Sequence, residues 1–136
     1  FFELLQQNDA HVVSDNTGFG TRAADVLIRE DGEPLEAIID YYFEEKPAAT
    51  RQMGTQVERM ERLLDLVKQY KADGVVASRL YMCDLWAFEH FLMRKRLHEN
   101  NVPFLELEVD YTPEGQGQIK TRVQAFVESL ADRQTA

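Results

Sequence analysis

Cys83 is the single cysteine among 136 residues, and it lies in the stretch SRLYMCDLW (78–86), just after the aliphatic run Gly74-Val75-Val76-Ala77. By residue type alone, a lone cysteine is a small buried hydrophobe more often than a reactive group. Its position argues the other way. A loop leaving a strand, with Asp84 expected as the N-cap of the following helix, sets the thiol against the partial positive charge of helix amides, where nucleophiles and metal ligands are found. A nucleophile would need His11, His90 or His98 as its base. His11 is expected to open a strand and the other two to lie on a helix surface, so geometry favours none of them. For a metal, one cysteine cannot complete a tetrahedral site, and further ligands would have to come from elsewhere.

Other residues carry weaker chemistry. Gly18-Phe19-Gly20 could cradle an anion on backbone amides, but it lacks the third glycine of a dinucleotide fingerprint and reads equally as an ordinary turn. Gly115-Gln116-Gly117-Gln118 offers flexible backbone and two amides at a helix start, or simply a loop and its helix N-terminus. Glu106 and Glu108 alternate along a run of strand character and share one face, as at a solvated edge. Arg94-Lys95-Arg96 reads as a solvated helix face.

The elements that must position these residues follow from apolar spacing. Val12-Val13, residues 74–77 and Phe104-Leu105-Glu106-Leu107-Glu108-Val109 have strand length and composition. Helical repeats lie between them. Leu35, Ile38, Ile39, Tyr42 and Phe43 form one that stops before Pro47. Met53, Val57, Met60, Leu64 and Val67 form a longer one, ended by Asp73-Gly74. Leu85, Phe88 and Leu92 mark a third, which exits through Asn100-Asn101-Val102-Pro103, and Ile119, Val123, Phe126, Val127 and Leu130 mark a fourth. Trp86, Met93 and Leu97 make a second apolar stripe on the third helix, available either to a deeper core or to a domain or subunit outside this chain.

Strands alternating with crossover helices predict a three-layer, doubly wound α/β domain, flavodoxin- or Rossmann-like, with a short parallel sheet. In such folds ligands bind where loops leave the carboxyl ends of the strands. Residues 15–22, 78–86 and 110–118 are expected to meet there.

Composition narrows the partners. Twenty-four acidic against fifteen basic residues leave a net charge of −9, which disfavours nucleic acid. No apolar run approaches the roughly 20 residues that cross a bilayer, so no membrane partner is expected. One cysteine excludes an internal disulfide framework and suits a reducing compartment, so a cytoplasmic location is expected. The length fits one domain, residues 1–136, and the opening Phe1-Phe2-Glu3-Leu4-Leu5 suggests a C-terminal piece of a longer, multidomain subunit.

The run from Ala72 to Glu128 resembles the C-terminal part of subunits of the benzoyl-CoA reductase and 2-hydroxyacyl-CoA dehydratase family. The resemblance rests on Cys83-Asp84 after the strand, on NVPFLELEVDY (101–111) and on GQIKTRVQAFVE (117–128), with HVVSDNTGFGTR (11–22) and ADGVV (72–76) also fitting the pattern. It implies a subunit paired with a second homologous subunit, and an oxygen-sensitive [4Fe-4S] cluster held by cysteines from separate domains. Cys83 matches the ligand of this last domain; the others would lie outside this chain, so the fragment alone is expected to be inactive. The resemblance further implies a separate ATP-dependent iron–sulfur activator and an acyl-CoA substrate. CDLW and KTRVQAF lean toward benzoyl-CoA reductase-like reduction of an aromatic acyl-CoA. The alternative is a 2-hydroxyacyl-CoA dehydratase subunit that removes water through a ketyl radical. Two further classes stay open: a cofactor-free, flavodoxin-like interaction module, and a small thiol enzyme complete in this chain.

Overall fold

The structure, a computed structural model, describes residues 2–18, 20–24, 26–46, 54–111 and 116–135. Two of the aliphatic runs become the sheet. β1 (Val75–Leu80) and β2 (Phe104–Val109) pair in parallel, from Val75 opposite Phe104 to Leu80 opposite Val109. Parallel strands need a long crossover, which is α5 (Asp84–Glu99). Together α4 (Gln56–Tyr70) and α5 cover one face of the sheet through Met60, Leu63, Leu64, Met93 and Leu97. On the other face, Val123 of α6 (Gln116–Thr135) and Leu5 of the short α1 (Phe2–Gln6) pack on Leu105 and Leu107. This is the expected three-layer, doubly wound α/β arrangement with a short parallel sheet.

Both helices that lead into strands end alike. Lys71 (φ 50°) and Asn101 (φ 57°) adopt left-handed backbone, and Ala72 N–H donates to Val67 O (3.0 Å) while Val102 N–H donates to Leu97 O (2.9 Å). This closure turns the chain sharply at each helix end and returns it to the sheet within a few residues. A Cβ on Gly74 would lie 2.8 Å from the Phe126 ring and 3.3 Å from Pro103 O, so the bare backbone there lets α6 close over the start of β1.

Three expectations need correction. The strand expected at Val12-Val13 forms no ladder: residues 10–17 lack regular secondary structure and donate no backbone hydrogen bond to β1. β-branched residues favour strands, but only pairing makes one. The helix of Leu35 to Phe43 exists as α3 (Pro34–Asp40), continued by a π-helical turn, Tyr41–Glu45, yet it buries Ala37 and Tyr41 and leaves Leu35, Ile38, Ile39, Tyr42 and Phe43 exposed. The longer helix begins at Gln56, and Met53 and Pro47 lie outside the described residues.

The third correction concerns which face of α5 is inside. Met93 and Leu97 are buried and Trp86 packs with them, whereas Leu85, Phe88 and Phe91 are 44%, 60% and 59% exposed. The buried face also carries Glu89 and His90. Glu89 is tolerated there because Arg59 of α4 grips it with two parallel bonds, Nε to Oε1 and Nη2 to Oε2, both 2.8 Å. Thr55 Oγ1 accepts a further bond from Arg59. Removing one partner of such a buried pair strands the other charge. Glu89→Ala is therefore expected to lower unfolding free energy by about 3–5 kcal/mol, read by denaturant melts, while Leu85→Ala on the exposed stripe changes it by less than about 1 kcal/mol.

Candidate functional site

Leaving β1, the chain makes a tight turn in which Cys83 N–H donates to Leu80 O (3.1 Å) and Met82 takes a left-handed φ of 61°. Cys83 itself, with extended backbone, is the N-cap of α5, and its carbonyl accepts the Ala87 N–H (2.9 Å). Asp84, expected as the cap, instead occupies the first helical turn. The thiol is free and half-buried. It lines a mainly apolar cleft of about 740 Å³ that opens between β1 and residues 9–18.

The facing wall of the cleft is an organised loop. The Asp15 carboxylate accepts Thr17 N–H (3.0 Å) and Thr17 O–H (2.7 Å) on Oδ1, and Thr21 O–H (2.7 Å) on Oδ2, with Thr21 N–H at 3.2 Å. A Cβ on Gly20 would fall 2.0 Å from Asp15 Oδ1, so only glycine fits this embrace. Of the two readings of Gly18-Phe19-Gly20, the described residues fit the turn: Gly20 N–H donates to Thr17 O (3.3 Å), and the amides that Asp15 takes are those of Thr17 and Thr21 on either side. Phe19 lies outside the described residues. From α2 (Thr21–Ala24), Arg22 also lines the cleft, and its pKa is lowered by burial and by the neighbouring guanidiniums of Arg59 and Arg62.

Deeper in the cleft stands His90, which is fully buried and not on the helix surface as expected. Its ring lies edge-on to Trp86 and Phe104, with centroids 5.8 and 6.2 Å away. Nδ1 sits 3.4 Å from Glu106 Oε1 without hydrogen-bond alignment, and Nε2 has no partner among the described residues. Burial pushes His90 below the usual imidazole range despite the nearby Glu106 carboxylate. Glu106, whose burial acts to raise its pKa, is nonetheless held below the ordinary range by Arg94 and Arg79. Arg79 bridges Glu106 (3.3 Å) and Glu108 (3.0 Å), and Arg94 also pairs with Glu106; of the two glutamates Glu106 is largely covered, whereas Glu108 stays exposed, as expected of a solvated edge. This cluster was not legible from spacing, since its contacting pairs lie 12 to 29 residues apart and meet only through the parallel register and the packing of α5 on the sheet.

His90 is not placed as a base for Cys83. The two residues share one helix, seven positions and roughly 10 Å of rise apart. His11 and His98 are exposed. Among the described residues, no group of three or more His, Cys, Asp or Glu side chains is arranged to hold a metal. Of the three loops expected to meet, 15–18 and Cys83 line one cleft; the third reaches Tyr111, and residues 112–115 lie outside the described residues. On α6, Thr121 O–H donates to Gly117 O (3.0 Å), and Arg122 Nη2 donates to the Glu106 carbonyl (2.7 Å) at the outer edge of β2.

Two pH effects follow. Hydrogen bonds from Thr21 and Thr17 lower the Asp15 pKa from 3.8 to about 2. A depressed carboxylate stabilises the fold fully above its unfolded pKa and loses that contribution as pH falls through its folded value. Asp15→Asn is expected to cost about 2 kcal/mol near neutrality, from lost charge-assisted bonds, and the gap to wild type should close as pH drops from about 4 to 2. For His90, the folded pKa lies below 6.5, so the unfolded chain binds the proton more readily and stability declines as pH falls below that value. His90→Phe should flatten this decline in melts taken from neutrality down to about pH 5.

Sequence comparison joins these features to known proteins. The family profile described as "2-hydroxyglutaryl-CoA dehydratase, D-component" matches residues 1–130. The chain is 28% identical over 127 residues, 93% of its length, to the Escherichia coli K12 protein YjiM, of which it covers 32%. It is 24% identical over 132 residues to the (R)-phenyllactyl-CoA dehydratase beta subunit of Clostridium sporogenes, covering 94% of this chain and 34% of that one. It is also 32% identical over 72 residues to the beta subunit of (R)-2-hydroxyglutaryl-CoA dehydratase from Acidaminococcus fermentans, covering 53% of this chain and 19% of that one. The chain thus spans about a third of the length of the first two relatives. With the match running from the α1 segment into α6, and with the Cys83 turn and the GQIKTR helix inside it, the chain belongs to the 2-hydroxyglutaryl-CoA dehydratase D-component family.

Proposed function

We propose that this chain is a domain of a 2-hydroxyacyl-CoA dehydratase subunit and contributes Cys83 as one ligand to a [4Fe-4S] cluster. The observation that carries the reading is the placement of the only cysteine, half-buried, at the carboxyl end of β1 and the N-terminus of α5, in a chain of this family. The lean toward an aromatic acyl-CoA reductase gains no support from these relatives, two of which are named as dehydratase beta subunits. The dehydratase alternative is the better reading.

Cys83 fits such a cluster as a single ligand. Its backbone is held by bonds on both sides, N–H to Leu80 and C=O from Ala87, which fixes where Sγ projects. The remaining ligands would come from outside this chain. When bound, the cluster supplies a low-potential electron to the acyl thioester. The domain's own part is to hold one corner of it and to shield it: Trp86 stands one helical turn beyond the thiol, and the mainly apolar cleft limits water. The exposed stripe of Leu85, Phe88 and Phe91, beside Tyr81 and Met82, fits coverage by the rest of the subunit or by a second, homologous subunit. The electron would come from a separate ATP-dependent activator, and the enzyme would work in the cytoplasm.

The test is iron and acid-labile sulfide content, with the electron paramagnetic resonance spectrum, of anaerobically prepared full-length subunit and its Cys83→Ser variant. Loss or alteration of the [4Fe-4S] signal in a variant that melts like wild type is the expected result. An iron-free wild type, or an unchanged cluster in the variant, removes Cys83 from the ligand set.

A further inference from the structure

Among the described residues, Arg22 is a cation without a counter-ion. Its half-buried guanidinium borders the mainly apolar cleft of about 740 Å³, and Nη2 lies over Gly18, where a Cβ would come within 3.2 Å of it. No described side chain bonds to it, and the charges that act on it are those of Arg59 and Arg62, both repulsive. Arg59 is already engaged by the two oxygens of Glu89. The carboxylate in the same loop, Asp15, is engaged by Thr17 and Thr21. Three guanidiniums thus gather at one place in a chain of net charge −9. A desolvated charge is unfavourable unless an opposite charge or a hydrogen bond offsets it.

The place is the one where α/β folds take ligands. Arg59 meets Glu89 in the second turn of α5, whose N-cap is Cys83, so the guanidinium cluster lies with Cys83 at the carboxyl end of the strands. Ser14 Oγ and Asn16 Oδ1 line the same cleft, each buried without a hydrogen-bond partner among the described residues. Ser14 can turn its O–H toward an anion, and the Asn16 amide, rotated about its last bond, can turn an N–H. Beyond them the walls are apolar, with Leu63 and Met93 from one layer and Val123 and Phe126 from the other. Asp9 and Asp73 also border the cleft, but both are exposed to solvent. The volume falls within the roughly 300–1,000 Å³ of ligand pockets.

We propose that this cleft binds a small organic anion, with its carboxylate or phosphate head on Arg22 and Ser14 and its apolar body between the two layers. A guanidinium takes either head through two parallel hydrogen bonds. The ligand supplies the negative charge that the free domain lacks at Arg22, so this arginine serves binding at a cost to the unliganded fold. The site belongs to the chain's own cleft and stands whether or not Cys83 holds a cluster.

Calorimetric titration of the full-length subunit tests this with four probes: 3-phenylpropionate, phenyl phosphate, the uncharged 3-phenylpropionamide and inorganic phosphate. One of the two aromatic anions is expected to bind at least about tenfold tighter than both the amide and inorganic phosphate. Which of the two binds tighter distinguishes a carboxylate from a phosphate head. Arg22→Gln should weaken that anion by at least about tenfold and leave the amide unchanged. Without probe the same variant should melt no lower than wild type, because it removes a repelled charge. The site is overturned if neither aromatic anion binds, if the amide or inorganic phosphate binds as tightly, or if Arg22→Gln binds the anion like wild type. An Arg22→Gln variant that melts below wild type also overturns it, since Arg22 would then be a structural residue. Binding is read as heat and the cluster as iron and sulfide, so the two proposals can fail separately.

Discussion

The buried Arg59–Glu89 pair decides how the upper layer sits on the sheet. α5 is apolar on more than one side, and hydrophobicity alone does not choose between burying Trp86, Met93 and Leu97 or burying Leu85, Phe88 and Phe91. A carboxylate in the middle of the first stripe would reject that choice were it alone. With a guanidinium from α4 locked to both its oxygens, the same carboxylate becomes the reason for the choice, because turning α5 the other way would leave Arg59 without its main partner. Once this rotation is set, His90 points inward, Cys83 caps the helix at the cleft, and Leu85, Phe88 and Phe91 face out.

The loop before α2 shows the same economy of charge on a smaller scale. Backbone amides in the turn before a helix are a common anchor for phosphates. Here a side chain seven residues before Arg22 takes them, and two threonine hydroxyls complete its shell. The loop is thereby made rigid by its own sequence, and the half-buried Arg22, repelled by Arg59 and Arg62, is the cation it presents to the cleft.

Much of this was legible in the sequence. Strand-like runs at 74–77 and 104–109, the helices around Met60 and Val123, and the parallel topology follow from period and order, because each depends on neighbours close in the chain. The placement of Cys83 between β1 and α5 was legible because a residue after a strand and before a helix has few places to go. The family was found in GQIKTRVQAFVE and NVPFLELEVDY. What escaped were features made by distant partners. His90 read as a surface residue and Glu89 gave no signal, since their burial depends on Arg59, thirty residues upstream of Glu89, and on the aromatic rings of Trp86 and Phe104. Glu106 read as part of a wet edge for the same reason, whereas Glu108 is exposed as expected. Val12-Val13 shows the converse error, a local propensity with no ladder behind it.

Arg122 lies in the motif that carries the family resemblance, and in this domain its guanidinium occupies the Glu106 carbonyl on the far side of β2. A bare strand edge is a template on which another chain can grow a sheet. A cation laid across that template obstructs such growth, so one side chain of the GQIKTR helix both ties α6 to β2 and stands where a further strand would have to pair.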